Sequence, residues 1–293
     1  MKIRTQIYQG TKCMELLGVY SQDLAATGEH RQGLVQLFWH IWLSRACVAR
    51  SEENVARSCS NVLNYFHQSR AHLEIDFQTL RSSCQTGGFK GFDKMIWHVV
   101  EYKKGENLSI TFKYHSHDGE EGYPGEVSVT ATYTLTSSTT MGLDMEAVPE
   151  NKPTPISLAQ HTYRNLAGHN SGNILDNLIQ IWGSHITPVD QNIVPTGEIM
   201  PVKGTPFDFT TEKKIGASIL EVPGLGYDYN YVLDCGEEKS GLKHAAKLKD
   251  PSSSRVLNFW TDAPGMQFYT ANYVNGVAGK GGAVYGKHSG VCL

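Results

Sequence analysis

The chain has 293 residues, 40% of them hydrophobic, which is enough to bury a sizeable core as one large domain or two smaller ones. Its formal net charge of -3 provides no basic footprint, arguing against nucleic acid or an anionic membrane as partner and for a neutral ligand. The positively charged run at residues 1–8 lacks the apolar stretch of a secretory signal, and residues 34–42, interrupted by Gln36 and His40, are too few to span a bilayer; a cytoplasmic protein with no transmembrane segment is expected.

In chain order, Leu34, Leu37, Phe38, Ile41 and Trp42 fall at helical spacing, with Arg45, Arg50, Glu52 and Glu53 as a charged continuation. A second helix-like stretch covers residues 54–73, where Val55, Val62, Leu63, Tyr65 and Phe66 are less regularly placed. The texture changes abruptly at Gly87. Residues 1–86 are therefore read as a separate N-terminal segment, helical or disordered, and residues 87–293 as a β-rich domain. The segment is expected to be a rearranged or mispredicted N-terminus, translated from intronic or out-of-frame sequence, and not an evolved helical domain. Cys13, Cys47, Cys59, Cys84, Cys235 and Cys292 match no zinc-ligand spacing and are expected to be free thiols.

Downstream, strand signals follow one another. Ile96, His98 and Val100 alternate with Trp97, Val99 and Glu101, and Ile110, Phe112 and Tyr114 alternate with polar partners. Over residues 126–135, Val127, Val129, Ala131, Tyr133 and Leu135 share one face, opposite Ser128, Thr130, Thr132 and Thr134; the spacing predicts a half-buried strand. Leu143, Met145 and Ala147 continue as its antiparallel partner across the turn at residues 137–140. The run Asp118-Gly119-Glu120-Glu121-Gly122-Tyr123-Pro124-Gly125 is a tight connection in which Gly119, Gly122 and Gly125 supply unusual dihedrals. Glu120 and Glu121, read as neighbours on an extended chain, would face opposite ways and so make no carboxylate pair.

Next, Ile156 and Leu158 lead into Gln160, His161, Thr162, Tyr163, Arg164 and Asn165, which reads as a strand carrying a polar cluster to its own end. A group titrating near neutral pH among hydrogen-bonding side chains suits a polyhydroxylated ligand. Ile179, Ile181 and Ile186 then suggest a strand entering a loop before Pro188, and Lys243, Lys247 and Lys249 mark a basic run expected to be solvated surface.

Four of these runs occur in order: residues 118–125, Gln160-His161-Thr162-Tyr163 with Asn165-Leu166-Ala167-Gly168, Gly226-Tyr227-Asp228, and Met266-Gln267-Phe268-Tyr269-Thr270-Ala271-Asn272. Together they closely resemble the aldose 1-epimerase, or galactose mutarotase, family, most like its plant members, over residues 87–293. The resemblance implies an all-β fold, a large antiparallel β-sandwich of the galactose mutarotase-like supersandwich type, incomplete at both ends. It implies interconversion of the α and β anomers of free hexoses, galactose or glucose, by acid-base ring opening, with no cofactor and no metal.

Carried over by position, His161 protonates the ring oxygen, Tyr163 lines the pocket, Asp228 accepts hydrogen bonds from sugar hydroxyls, and Gln267 donates and accepts them. Some positions depart from the pattern. Thr86 stands where the family has a His before Gly-Gly-Phe, Arg164 replaces an aromatic, and Tyr229 stands where a His follows the Asp. The sequence ends at Leu293, where the family's catalytic Glu would come next. A missing general base typically lowers the rate about a hundredfold to ten-thousandfold, so weakened activity is expected. The rival expectation is a non-catalytic carbohydrate- or partner-binding β-sandwich. A hexose-6-phosphate mutarotase would need an Arg or Lys cluster to hold phosphate, which the sequence does not offer. A monomer binding a small sugar is expected.

Overall fold

The computed structural model describes residues 1–8, 90–190, 194–234 and 241–293. The expected helices within residues 34–73, and all the cysteines except Cys292, lie outside the described residues. Among the described residues there is no α-helix, only short 3-10 turns between strands. No helix among them is long and apolar enough to cross a membrane. The chain divides into two compact units: among the described residues, the first takes in residues 1–2 and 90–161, and the second residues 3–8 together with those from Thr162 onward.

The described part of the first unit is an antiparallel meander of β2 (His98–Lys103), β3 (Leu108–Ser116), β4 (Val127–Ser137) and β5 (Thr140–Pro149). Each strand pairs with the next. Alternation works here as expected: Phe112, Ala131 and Met145 stand opposite one another across three strands, and all are buried. Val129 and Leu143 extend the same apolar face. The alternation at residues 96–101 also forms a strand, but β2 is exposed on both faces.

The loop after β3 corrects the reading of its two glutamates. Gly119, Gly122 and Gly125 do take positive φ (83°, 82° and 88°), but Glu120 and Glu121 sit in a 3-10 turn, Glu120–Gly122, and not on an extended chain. Glu120 is buried and takes the Tyr114 hydroxyl as donor. Asp118 Oδ1 accepts the Gly125 N–H at 2.7 Å, and the Lys152 ammonium lies 2.8 Å from its other oxygen. That ammonium first, and the Gly125 N–H second, hold the Asp118 carboxyl below its ordinary pKa.

The second unit holds two main sheets. In one, β1 (Lys2–Tyr8) pairs with β12 (Val256–Thr261), β12 with β11 (Lys243–Lys249), β11 with β6 (Leu178–Ile181), and β6 with β9 (Lys213–Lys214). In the other, β13 (Gly265–Tyr269), β10 (Asp228–Val232), β7 (His185–Thr187) and β8 (Met200–Pro201) pair in that order. A two-stranded ladder, β14 (Val277–Ala278) with β15 (Val284–Tyr285), stands apart from both.

Three expectations change in this unit. Residues 2–8 form a strand, not helix or coil; Ile3, Thr5 and Ile7 are β-branched at alternate positions, the pattern that suits a pleated ladder. Ile179–Ile181 and Ile186 belong to two strands in two different sheets, and Gly183 lies between them at a point with no room for a side chain: a Cβ there would lie 2.9 Å from the Val232 carbonyl. The basic run is a paired strand, β11, whose Ala246 and Leu248 are fully buried while Lys247 meets Glu212 at 3.0 Å.

Phe209 joins the two sheets of this unit. Its carbonyl takes the Ile181 N–H at 2.8 Å, beside β6. Its ring lies edge-on to Phe268 of β13 at 5.4 Å and to Tyr227 at 5.1 Å. Tyr227 in turn stacks on Phe268, and Tyr231 closes the cluster at 6.2 Å. All four rings are fully buried, so the core beneath β10 and β13 is aromatic and rigid.

Candidate functional site

The polar stretch after Leu158 is not a strand. Residues 151–163 are irregular, because Pro153 and Pro155 fix φ and remove two ladder donors just where pairing would begin. His161, half-buried, is the last residue of the first unit. Pairing begins at Arg164, which exchanges two backbone hydrogen bonds with Val291, at 2.8 and 2.9 Å. Asn165 then builds a turn: its Oδ1 accepts the Ala167 N–H at 3.1 Å, and its Nδ2 donates to the carbonyls of Gly172 and Ser289 at 3.0 and 3.2 Å. Within this turn, the carbonyl of buried Leu166 accepts from Arg255 at 2.7 Å and Ser253 at 3.0 Å. The Asn165-Leu166-Ala167-Gly168 motif is thus scaffold.

Asp228 and Gln267 come together across two strands. The register of β10 and β13 sets Asp228 opposite Tyr269 and Asn230 opposite Gln267, so Asp228 and Gln267 are diagonal neighbours on one face of the sheet. Gln267 Nε2 donates to Asp228 Oδ1 at 2.8 Å. Burial raises the Asp228 pKa above its ordinary value, and the hydrogen bond from Gln267 only partly offsets it. The other faces of these strands carry Tyr229 and Phe268, both buried. Alternation therefore turns the polar pair outward and keeps the core aromatic.

Tyr163 belongs to the same patch. Its ring stands edge-on to Tyr269 at 6.2 Å, and it keeps 37% of its surface exposed. Its phenol pKa is raised, first by burial and then by the neighbouring Cys292, Tyr269 and Asp228. A phenol kept protonated beside a partly buried carboxylate is a hydrogen-bond donor, and Gln267 offers both donor and acceptor groups. The second unit thus gathers Tyr163, Asp228 and Gln267 on one surface.

Several participants were not singled out in the sequence. Tyr269, 8% exposed, links Tyr163 to β13 and exchanges two backbone hydrogen bonds with Cys292. Cys292 is a buried free thiol whose pKa burial pushes up. The period of two along β13 could have pointed to Tyr269, because it shares a strand face with Gln267. Cys292 left no such signal. In the first unit, His115, Glu126 and Glu150 are the one group among the described residues with metal-ligating geometry, their ligand atoms lying within 4.8 Å of one another. These atoms already serve local contacts: Glu150 takes the Ser128 hydroxyl, and His115 Nδ1 is 3.7 Å from its other oxygen.

The model of the aldose 1-epimerase family matches residues 76–293, beginning ahead of the boundary read at Gly87. The chain belongs to the aldose 1-epimerase family. It is 41% identical over 208 residues to a galactose mutarotase of Mus musculus and 42% identical to that of Sus scrofa, covering 71% of this chain in both cases. An aldose 1-epimerase of Haemophilus influenzae is 30% identical over 234 residues, 77% of this chain and 66% of that protein. The chain spans 58% of the length of the two mammalian relatives. Among solved structures, an aldose epimerase homologue from C. elegans superposes with a TM-score of 0.62 at 22% identity, over 71% of this chain and 61% of that one. The galactose 1-epimerase of Lactobacillus acidophilus gives 0.55 at 24%, over 69% and 58%. These two likenesses establish the fold, a mostly antiparallel β-architecture of the mutarotase type.

Proposed function

We propose that the protein is an aldose 1-epimerase that interconverts the α and β anomers of free hexoses such as galactose and glucose. The observation that supports this most is the Asp228–Gln267 pair, hydrogen-bonded at 2.8 Å on the partly exposed face of β10 and β13 with Tyr163 beside it. A carboxylate, an amide and a phenol together supply acceptors and donors in the mixture that sugar hydroxyls require. His161 has the chemistry to give a proton to the ring oxygen as the ring opens and to recover it on closure. Holding the open aldehyde by its remaining hydroxyls lets C1 rotate and reclose without losing the sugar. The reaction moves protons and makes and breaks one C–O bond, so it calls for no redox cofactor.

Polarimetry on freshly dissolved α-D-galactose tests the proposal. The protein should speed the approach to anomeric equilibrium beyond the buffer rate, and His161→Ala should lower kcat by about a hundredfold to ten-thousandfold. A rate that His161→Ala leaves unchanged would remove the histidine from the acid role. Calorimetric binding of galactose with no change in the equilibration rate would instead favour a sugar-binding protein without turnover.

A further inference from the structure

A buried hydrogen-bond cluster lies beneath the Gly226-Tyr227-Asp228 corner, and the proposed chemistry uses none of its members. Thr270 is fully buried and Asn272 is 5% exposed. Thr270 Oγ1 donates to Asn272 Oδ1 at 2.7 Å and accepts the Tyr227 N–H at 3.1 Å. Asn272 Nδ2 donates to the Tyr227 carbonyl at 2.9 Å, and the Thr270 N–H reaches the same carbonyl at 3.1 Å. His288 closes the far side: its Nδ1 donates to the Thr270 carbonyl at 2.7 Å, and its backbone N–H donates to Ala271 at 3.1 Å.

Both backbone polar groups of Tyr227 are therefore held by side chains, one residue before the Asp228 carboxylate. Gly226 completes the clamp. Its φ is 143°, and a Cβ there would come up against Asn272 Oδ1, with Thr270 Oγ1 at 2.9 Å and His288 Cε1 at 3.0 Å. The brace also carries two non-glycine residues in the left-handed region, Ala271 (φ 51°) and His288 (φ 60°). Backbone of that kind costs energy and persists where the surroundings over-determine it. A partly satisfied polar network would be worse than an apolar core, but here each named group has its partner.

We infer that Thr270 and Asn272, with His288 bracing their turn, are positioning residues that aim Asp228 at the hydroxyls of a bound hexose. This rests on the sugar-binding reading of Asp228 given above. The cluster touches no substrate itself; it acts by fixing the Tyr227 peptide, and with it the direction in which the next side chain leaves β10.

The test is a carbon-13 carboxyl NMR titration of Asp228 in the full chain, run beside steady-state kinetics. Thr270→Val keeps the shape and removes the hydroxyl. It should let Asp228 relax toward solvent, so that its raised pKa falls toward the ordinary carboxylate value, while KM for galactose rises about tenfold with kcat within about twofold. Thr270→Ser, which restores the hydroxyl, should recover both properties. An Asp228 titration that Thr270→Val leaves unmoved overturns the inference, and so does a failure of Thr270→Ser to rescue. If Thr270→Val does not give a folded spectrum, Asn272→Ala, which removes the bond to the Tyr227 carbonyl, is read on the same two scales. Asp228→Asn, measured in parallel, keeps the two readings apart: an unchanged KM there refutes Asp228 as a sugar ligand, while the titration, which needs no sugar, still decides whether Thr270 and Asn272 aim it.

Discussion

At Asp228, stability and the proposed function pull in opposite directions. Burial raises its pKa in the folded protein above the unfolded value. The folded state therefore binds that proton more tightly, a contribution complete below the unfolded pKa of about 3.9 and lost as pH rises through the folded value. At neutral pH the carboxylate is thus destabilising where it stands. Asp228→Asn retains an oxygen for Gln267 and should raise Tm at pH 7 with little effect at pH 3, while weakening galactose binding. Thermal melts at the two pH values check this, and an equal shift at both would contradict it. Gly226→Ala should cost about 1–3 kcal/mol in urea unfolding, because the methyl meets Thr270 and Asn272 in a corner with no slack.

At the scale of elements, pattern and outcome agree where one face is apolar and both neighbours pair. β4 and β5 were readable because Val129, Ala131 and Met145 alternate with polar residues and end up on one buried face. The approach to His161 misled for a definite reason: apolar residues were present, but Pro153 and Pro155 prevent a ladder. The next motif, read as part of a family signature, proves to be a turn pinned by one side chain. Asn165→Ala removes its bonds to Ala167, Gly172 and Ser289 and should destabilise the protein by about 1–3 kcal/mol, measured by denaturant unfolding. A variant as stable as the parent would mean that backbone bonds alone hold the turn.

For the molecule as a whole, acid is the informative perturbation. Burial pushes the Asp250 pKa up, but hydrogen bonds from Ser252, Ser253 and Asn177 outweigh it and hold the carboxyl below its ordinary value. Asp208 is lowered chiefly by the Thr210 hydroxyl, and Asp118 by Lys152. A depressed folded pKa contributes stability above the unfolded value of about 3.9, and that contribution is lost as pH falls through the folded one. Tm should therefore drop steeply below about pH 4. Asp250→Asn should lower Tm at pH 7 and flatten the fall, as calorimetry across pH 2–7 would register; an unchanged slope would show that Asp250 does not report on folding.

Local alternation and short motifs kept in order were enough to read the β-rich class, the buried faces of β4 and β5, and the family from the sequence. His161, Tyr163, Asp228 and Gln267 could be named from those motifs, but not related to one another. The folded structure makes Asp228 and Gln267 diagonal neighbours, since a register shift of one residue on β13 would have turned Gln267 into the core and Phe268 out. It alone showed Thr270, Asn272 and His288 beneath the Tyr227 peptide, residues up to 61 positions apart in the chain (288 − 227). Such contacts follow from how sheets pair and pack, and no spacing within a single strand encodes them.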